Sequence, residues 1–429
     1  IAGWAGMIGG IPVAGLPQTG SAVQLTTYGQ VVEVTAIIAT ADRTGVDMPW
    51  GGADYGHIGI DLTGPNGGVV RLDDIEINDV TSLFIRDLVG LVDVRDFGAK
   101  GDGVTDDSAA FDAADAVADG RTIMVPPGDY LLTNSVTMEN PVRFQGRIIQ
   151  APEHRFILQR NYDYDRYLEA FQDEELAFKK AYQVLINFAD HDSLDLCGRR
   201  ILLTEPVDMQ ACDPSRTKFE TRRVIRNGQF QPADGAVWDT VEVMSQATYA
   251  TSDDNRLTNV ANIGSIAVGS LVGGNGVGRE IYVSDVNVSA QTLELSRPLF
   301  DAEGTQVFTF TRFQYMIDFS GYEKLSQFIF DDIEFQGRGV ASGIMMAPDG
   351  FTFQVRDCFV NKPKDRGITS PGRGCQGMMI DRCQLISDEQ SIPVAGRVSI
   401  GFNANANDVK IRDNRTSKFK HFCVLAGSG

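Results

Sequence analysis

The sequence predicts an all-β solenoid, a chain wound into stacked turns in which residues a fixed interval apart become vertical neighbours. Three observations carry this. First, Phe330-Asp331-Asp332-Ile333-Glu334-Phe335, Val355-Arg356-Asp357-Cys358-Phe359-Val360, Ile380-Asp381-Arg382-Cys383-Gln384-Leu385 and Ile411-Arg412-Asp413-Asn414-Arg415-Thr416 share one pattern, with starts 25, 25 and 31 residues apart. A period in that range marks repeats that stack on one another. Second, 45 glycines against 16 prolines imply many turns. Third, 429 residues are too many for one compact core, and 43% hydrophobic with 22% charged residues excludes a disordered chain. No apolar run is long enough to span a membrane, and a net charge of −19 repels nucleic acid. Six cysteines without a CxxC pair form no disulfide scaffold or zinc spacing, so no metal and no cofactor are expected.

Residues 1–90 read as β-structure. Val31-Val32-Glu33-Val34-Thr35-Ala36-Ile37-Ile38 is β-branched and follows a Tyr28-Gly29-Gln30 turn. Strands over 58–62 and 69–77 flank Pro65-Asn66-Gly67-Gly68, a hairpin signal, and Asp73-Asp74 interrupts the second as a bulge does. This segment resembles the closing strands of carbohydrate-binding jelly-roll modules, which implies a partial module of that kind. Residues 1–15 are Gly-rich without a basic segment and do not read as a signal peptide. Both ends are expected to be cut from something longer.

In residues 92–131, Gly101-Asp102-Gly103 reads as a turn and Thr105 or Asp106 as the N-cap of a helix beginning at Ser108. Phe111, Ala114 and Val117 or Ala118 share one face of it, Gly120 ends it, and a strand over 122–125 leads to Pro126-Pro127-Gly128. This succession resembles the opening of a right-handed parallel β-helix of the pectate-lyase superfamily, the type used by phage tailspikes. In that family the short helix lids the first coil and protects an open sheet edge. The expected order is therefore a jelly-roll-like module (1–90), opening coils with a capping helix (91–161), a helical insertion (162–192), further coils (193–247), a small β-barrel-like insertion (248–312) and coils to the end (313–429). The helical insertion, with its stripe of Tyr167, Phe171, Phe178 and Tyr182, is expected to pack on the outside of the coils. Gly274, Gly276 and Gly278 are not a nucleotide loop, because no strand–loop–helix unit surrounds them.

The repeat also sorts the acids. Asp331, Arg356, Asp381 and Arg412 form one outward column of alternating sign, and Asp332, Asp357, Arg382 and Asp413 the next. Coils stack at about 4.8 Å, so these columns read first as ion-pair ladders. Cys358 and Cys383 stack as reduced thiols. Hydrolysis of a glycan needs two carboxylates, one with a raised pKa, and the candidates are Asp331, Asp332, Glu334, Asp357 and Asp381. Polygalacturonases of this fold carry a Gly-His-Gly stretch, and none of His57, His154, His191 and His421 stands in one. A lyase would draw its base from Lys362-Pro363-Lys364-Asp365-Arg366. Carbohydrate-binding candidates are Trp50, Tyr55, Trp238, Lys364 and Arg366.

Pro363-Lys364-Asp365-Arg366-Gly367-Ile368-Thr369-Ser370 and Asn403-Ala404-Asn405-Ala406-Asn407-Asp408-Val409-Lys410 resemble the β-helix spike proteins encoded with phage-like gene-transfer agents. The resemblance implies a homotrimeric spike on a virion, attached to bacterial capsular polysaccharide and to other virion proteins, without nucleic-acid binding or membrane insertion. Two alternatives stay open: a depolymerase (hydrolase or lyase) of the same fold, and a purely structural virion connector. The reading leans away from catalysis.

Overall fold

The computed structural model describes residues 1–39, 45–64, 67, 69–78, 80, 90–188 and 190–426. The chain divides into two compact units, Ile1–Asp79 and Val80–Gly429.

In the first unit Ala2–Ile8 pairs antiparallel with Ile11–Pro12 on one side and Tyr55–Ile60 on the other. Trp4 is its buried centre, with Met48 and Ala53 beside it. The β-character expected here is present in smaller amount. Of the apolar stretch 31–38, only Ile38 enters a ladder, in the two-residue strand Ile38–Ala39 against Met48–Pro49. The expected hairpin does not form: Tyr55–Ile60 pairs with the chain start, while 69–77 carries no ladder. Val69, Leu72, Ile75 and Ile77 are exposed there, because none of the described residues offers a facing layer to bury them. Asp74 has a positive φ (49°), but with no paired strand it forms no bulge. Pro65, Asn66 and Gly68 lie outside the described residues.

The second unit is a parallel β-helix. In its opening coils Leu91–Asp93, Thr122–Val125 and Val142–Phe144 stack in parallel, as do Asp102–Asp106, Asp129–Leu132 and Arg147–Gln150. Val136–Met138 pairs with Phe156–Leu158. Helix α1 (Ser108–Ala118) buries Phe111, Ala114 and Ala118, whereas Val117 faces solvent. Its N-cap is Asp107, not Thr105 or Asp106, because the strand runs on through Asp106. The Asp107 carboxylate accepts N–H bonds from Lys100 (2.7 Å) and Gly101 (3.1 Å), which ties the Gly101–Gly103 turn to the helix start.

Helices α2 (Tyr164–Phe171) and α3 (Glu174–Leu185) correct a further expectation. Rather than lying outside, they separate two stacks of coils. Opening-coil strands pair only with one another, and a new ladder begins at Ser193–Leu203. Helix α2 packs between that strand and Val142–Phe144 and Arg147–Gln150, and α3 packs on Ser193–Leu203 and Phe156–Leu158. Tyr164, Tyr167, Phe171, Phe178 and Tyr182 are all buried in the continuous core of this unit. Each such ring contributes about 1.5–3 kcal/mol by leaving water.

The second stack has two principal sheets. The first runs Ser193–Leu203, Arg223–Pro232, Phe328–Gln336 and then three coils whose strands are each split in two. Phe330, Val355, Ile380 and Ile411 lie in register, as the repeat predicts. The column Asp332, Asp357, Arg382, Asp413 is not a strand face: φ is 55°, 53°, 52° and 54° at these positions. Successive strand residues point to opposite faces, so two consecutive outward residues require such a left-handed corner. The second sheet runs Val207–Asp208, Tyr315–Asp318, Ser342–Met345, Arg366–Thr369, Ile400–Ala404 and His421–Leu425. Its four middle strands, Tyr315–Asp318 to Ile400–Ala404, are buried on both faces and hold a glycine column. A Cβ on Gly343, Gly367 or Gly401 would lie 2.2, 2.3 or 2.4 Å from the carbonyl oxygen of Gly367, Gly401 or Phe422 respectively.

The β-rich insertion begins at Val241, earlier than expected, and runs to Arg312 as six antiparallel strands. A Leu271–Tyr282 bridge joins the two ends of the sheet, giving the expected barrel, with Leu257, Leu293, Phe308 and Phe310 inside.

Candidate functional site

On the first sheet the outward acids are held by arginines from neighbouring coils. Arg356 donates to Asp331 through Nε (2.8 Å) and Nη2 (3.2 Å), and Arg412 to Asp381 through Nε (2.6 Å) and Nη2 (3.0 Å). At the corner Arg382 grips Asp357 at 2.7 and 2.5 Å and reaches Asp381 at 2.5 Å. The Arg412 guanidinium holds the Asp381 carboxyl below its ordinary pKa, and Arg382 does the same to Asp357. Glu334 accepts from Gln229 (2.6 Å) and Gln336 (3.2 Å), while Asp332 stands exposed at its corner. The five expected acids thus share one wall across three coils, and three of them are counter-charges of arginines. A carboxylate held in its charged form is a poor proton donor at neutral pH. Cys358 and Cys383 are buried and unbridged.

The carbohydrate-binding candidates are scattered. In the first unit Trp50 is half-buried, stacked on Trp4 at 4.8 Å with its Nε1 donating to Ala53 O (2.6 Å). Tyr55 is exposed, its ring edge-on to His57. In the second unit Trp238 is buried and its carbonyl accepts from Lys364 Nζ (3.0 Å). Arg366 is no surface cation. It is 6% exposed, pairs with Glu280 of the barrel through Nη2 (2.8 Å) and Nε (3.1 Å), and stacks on Phe313 at 4.6 Å. Tyr282 donates to the same carboxylate at 2.5 Å. Arg366 therefore fastens the barrel to the coils, while the half-exposed Lys364 ties down Trp238 and Asp239 just before the barrel begins.

Two groupings escaped the sequence reading. Asp208 and Asp318 are direct partners across the second sheet's first ladder, and Arg312 binds Asp318. Burial pushes the Asp208 carboxyl up, the Ala211 N–H opposes this, and the charge of Asp318 adds to the rise. The signal was the apolar–Asp–apolar match of Val207-Asp208-Met209 with Ile317-Asp318-Phe319, which lies outside the repeat used above.

The other is an open polar cleft of about 530 Å³, lined by Arg155, Asn187, Ser215, Arg216, Lys218 and Glu323 among others. Asp213, 2% exposed, anchors it. Its carboxylate accepts from Arg155 (2.8 Å), Ser215 Oγ (2.5 Å) and Asn187 Nδ2. Burial raises the Asp213 pKa, and those bonds reverse the shift to leave it below its ordinary value. Asn187 Oδ1 in turn accepts from Arg216 Nε (3.0 Å). From α3, Lys180 donates to the carbonyls of Ala151 and His154 (2.6 Å each), steadying the turn that carries Arg155; burial brings its pKa down to about 8. These residues come from four distant segments with no common motif, so no sequence pattern could have united them.

Residues 91–188 match the family described as rhamnogalacturonase A/epimerase, pectate lyase-like. An exopolygalacturonase of Arabidopsis thaliana is 52% identical over 54 residues, and the chain spans only 12% of that relative's length. Among solved structures, the pre-mature bacteriophage phi29 gene product 12 is 14% identical with a TM-score of 0.21, covering 79% of this chain and 31% of that one. PfbA, a surface adhesin of Streptococcus pneumoniae, is 11% identical with a TM-score of 0.22, covering 76% and 62%. The Gp54 tailspike of Acinetobacter baumannii bacteriophage AP22, solved with A. baumannii capsular saccharide, is 11% identical with a TM-score of 0.14, covering 82% and 48%. Among the described residues no helix is long and apolar enough to cross a membrane, and no His/Cys/Asp/Glu group is arranged to hold a metal ion.

Proposed function

We propose that the chain is a spike or receptor-binding protein of a phage or phage-like particle, a gene-transfer agent included, that attaches to bacterial capsular polysaccharide. The observation that carries this is the use of the outward acids: arginines pair with Asp331, Asp357 and Asp381 and lower the pKa of the latter two, so the coil wall suits a repeating polymer better than a proton transfer. The pectate lyase-like family match over 91–188 supports a carbohydrate ligand. On this reading the working particle is a homotrimer, in which weak contacts per sugar add through multivalency. The test is to incubate the protein with host capsule and size both protein and polymer. Binding to a polymer of unchanged length is expected, and no binding to any host capsule would sink the proposal.

A depolymerase is the second reading, favoured by Asp208 and Asp318. Two adjacent carboxyls, one raised by burial and one paired with Arg312, have the split environments that acid–base chemistry requires. It predicts shortened polymer, with shortening abolished by Asp208→Asn.

A further inference from the structure

The cleft beside α3 has a charge arrangement that structural roles do not exhaust. Asp213 compensates Arg155, and Glu323 pairs with Lys218 at 2.9 Å on the rim. Arg216 has no acidic partner among the described residues. Its Nε is fixed on Asn187, which is itself fixed by Asp213 and by the carbonyl of Gln183 (2.7 Å). That chain of bonds sets the plane of the guanidinium and leaves both terminal nitrogens without a partner among the described residues. A second cation lies nearby: Arg223 spends its donors on the neutral carbonyls of Leu185 (2.6 Å), Arg222 (2.8 Å) and Phe188 (3.1 Å), and burial, with Arg216 adding to it against the opposing charge of Asp192, brings its pKa down. In a chain of net charge −19, this cleft keeps a positive excess carried by Arg216. A planar guanidinium held at Nε and open at its two ends is the geometry that takes a carboxylate or phosphate with two parallel bonds.

We infer that this cleft is a subsite for an anionic group carried by the polysaccharide, with Arg216 as its primary contact and Lys218 as a flanking cation. The inference rests on the polysaccharide-binding reading and narrows it to acidic polymers.

Calorimetry on the full chain tests it, with a glucuronic-acid oligomer, the same oligomer after reduction of its carboxylates to alcohols, and inorganic phosphate as probes. The expected result is binding of the glucuronate oligomer, weakened about tenfold or more in Arg216→Gln and less in Lys218→Gln, with an unchanged melting temperature. The reduced oligomer should bind at the level of the Arg216→Gln variant. Phosphate binding lost in Arg216→Gln, with glucuronate silent, would equally support the subsite and assign its anion to a phosphate-bearing polymer. Equal binding of charged and reduced oligomers, or a host-capsule affinity unmoved by Arg216→Gln, overturns the inference while leaving capsule attachment intact. If the unaltered protein binds no capsule at all, the underlying reading fails instead.

Discussion

The two sheets of the second stack are built from the same coils and solve opposite problems. The first sheet turns one face to water. Its coils alternate apolar and charged residues, break at left-handed corners and lay arginines over aspartates. The second is covered on its outer face by the barrel, through Arg366–Glu280 and the cluster of Phe313, Tyr315 and Met345 with Leu271. There, side chains give way to glycines where successive coils come closest. The comparison teaches that coil stacking tolerates charge where water screens it, and demands both small volume and complete pairing where water is excluded.

Substitutions sharpen that contrast. The largest effect is expected for Arg366→Met, which leaves Glu280 buried and unpaired. Breaking such a pair costs about 3–5 kcal/mol, and urea unfolding together with faster proteolysis of the barrel would show it. Adding Glu280→Leu should recover most of the loss, since the pair is then replaced by apolar packing. Next comes Gly367→Ala, whose methyl group would meet the Gly401 carbonyl. About 3 kcal/mol is expected, the upper end of overpacking, whereas Asp332→Gly at a first-sheet corner should be neutral or slightly stabilising by thermal melting. The smallest effect belongs to the ladders: Arg356→Gln is expected to cost about 0–1 kcal/mol, a difference that vanishes in about 1 M salt. Because Arg382 depresses the folded pKa of Asp357, their pairing stabilises the fold above the unfolded aspartate value of about 4 and is lost as pH falls through the lower folded value. An acid titration of stability should therefore be shallower in Arg382→Gln. An unchanged slope would show that the ladder contributes nothing.

The same contrast explains what could be read in advance. The first sheet was legible because one face is wet: inward Phe330, Val355 and Ile380 alternate with outward charges at a constant interval. The second sheet was not, because burial on both faces removes the alternation, and Gly343, Gly367 and Gly401 pass for ordinary turn residues. The Asp208–Asp318 pair stayed hidden because Val207-Asp208-Met209 and Ile317-Asp318-Phe319 lie outside the interval that marks the first sheet. The second column was legible as a column, while its left-handed corner was not, since side-chain chemistry carries no record of φ. Lys364 and Arg366 read as surface cations because nothing local announces a partner such as Glu280, 86 residues away in the chain. In residues 1–79 strong turn signals around Gly67 outweighed the question of what a second strand would pack against.

The helix pair between the two stacks has a mechanical consequence. Among the described residues no backbone ladder crosses it, and opening coils meet later coils through side-chain contacts such as Arg155 with Asp213, while Tyr182 of the second helix meets Tyr322. A pull or a twist applied to one stack is not relayed rung by rung into the other, and each can adopt its own winding. The polar cleft sits at this joint, where Asn187 follows the second helix and Arg155 precedes the last opening strand. Its walls thus come from both stacks, which Arg155 and Asp213 join there.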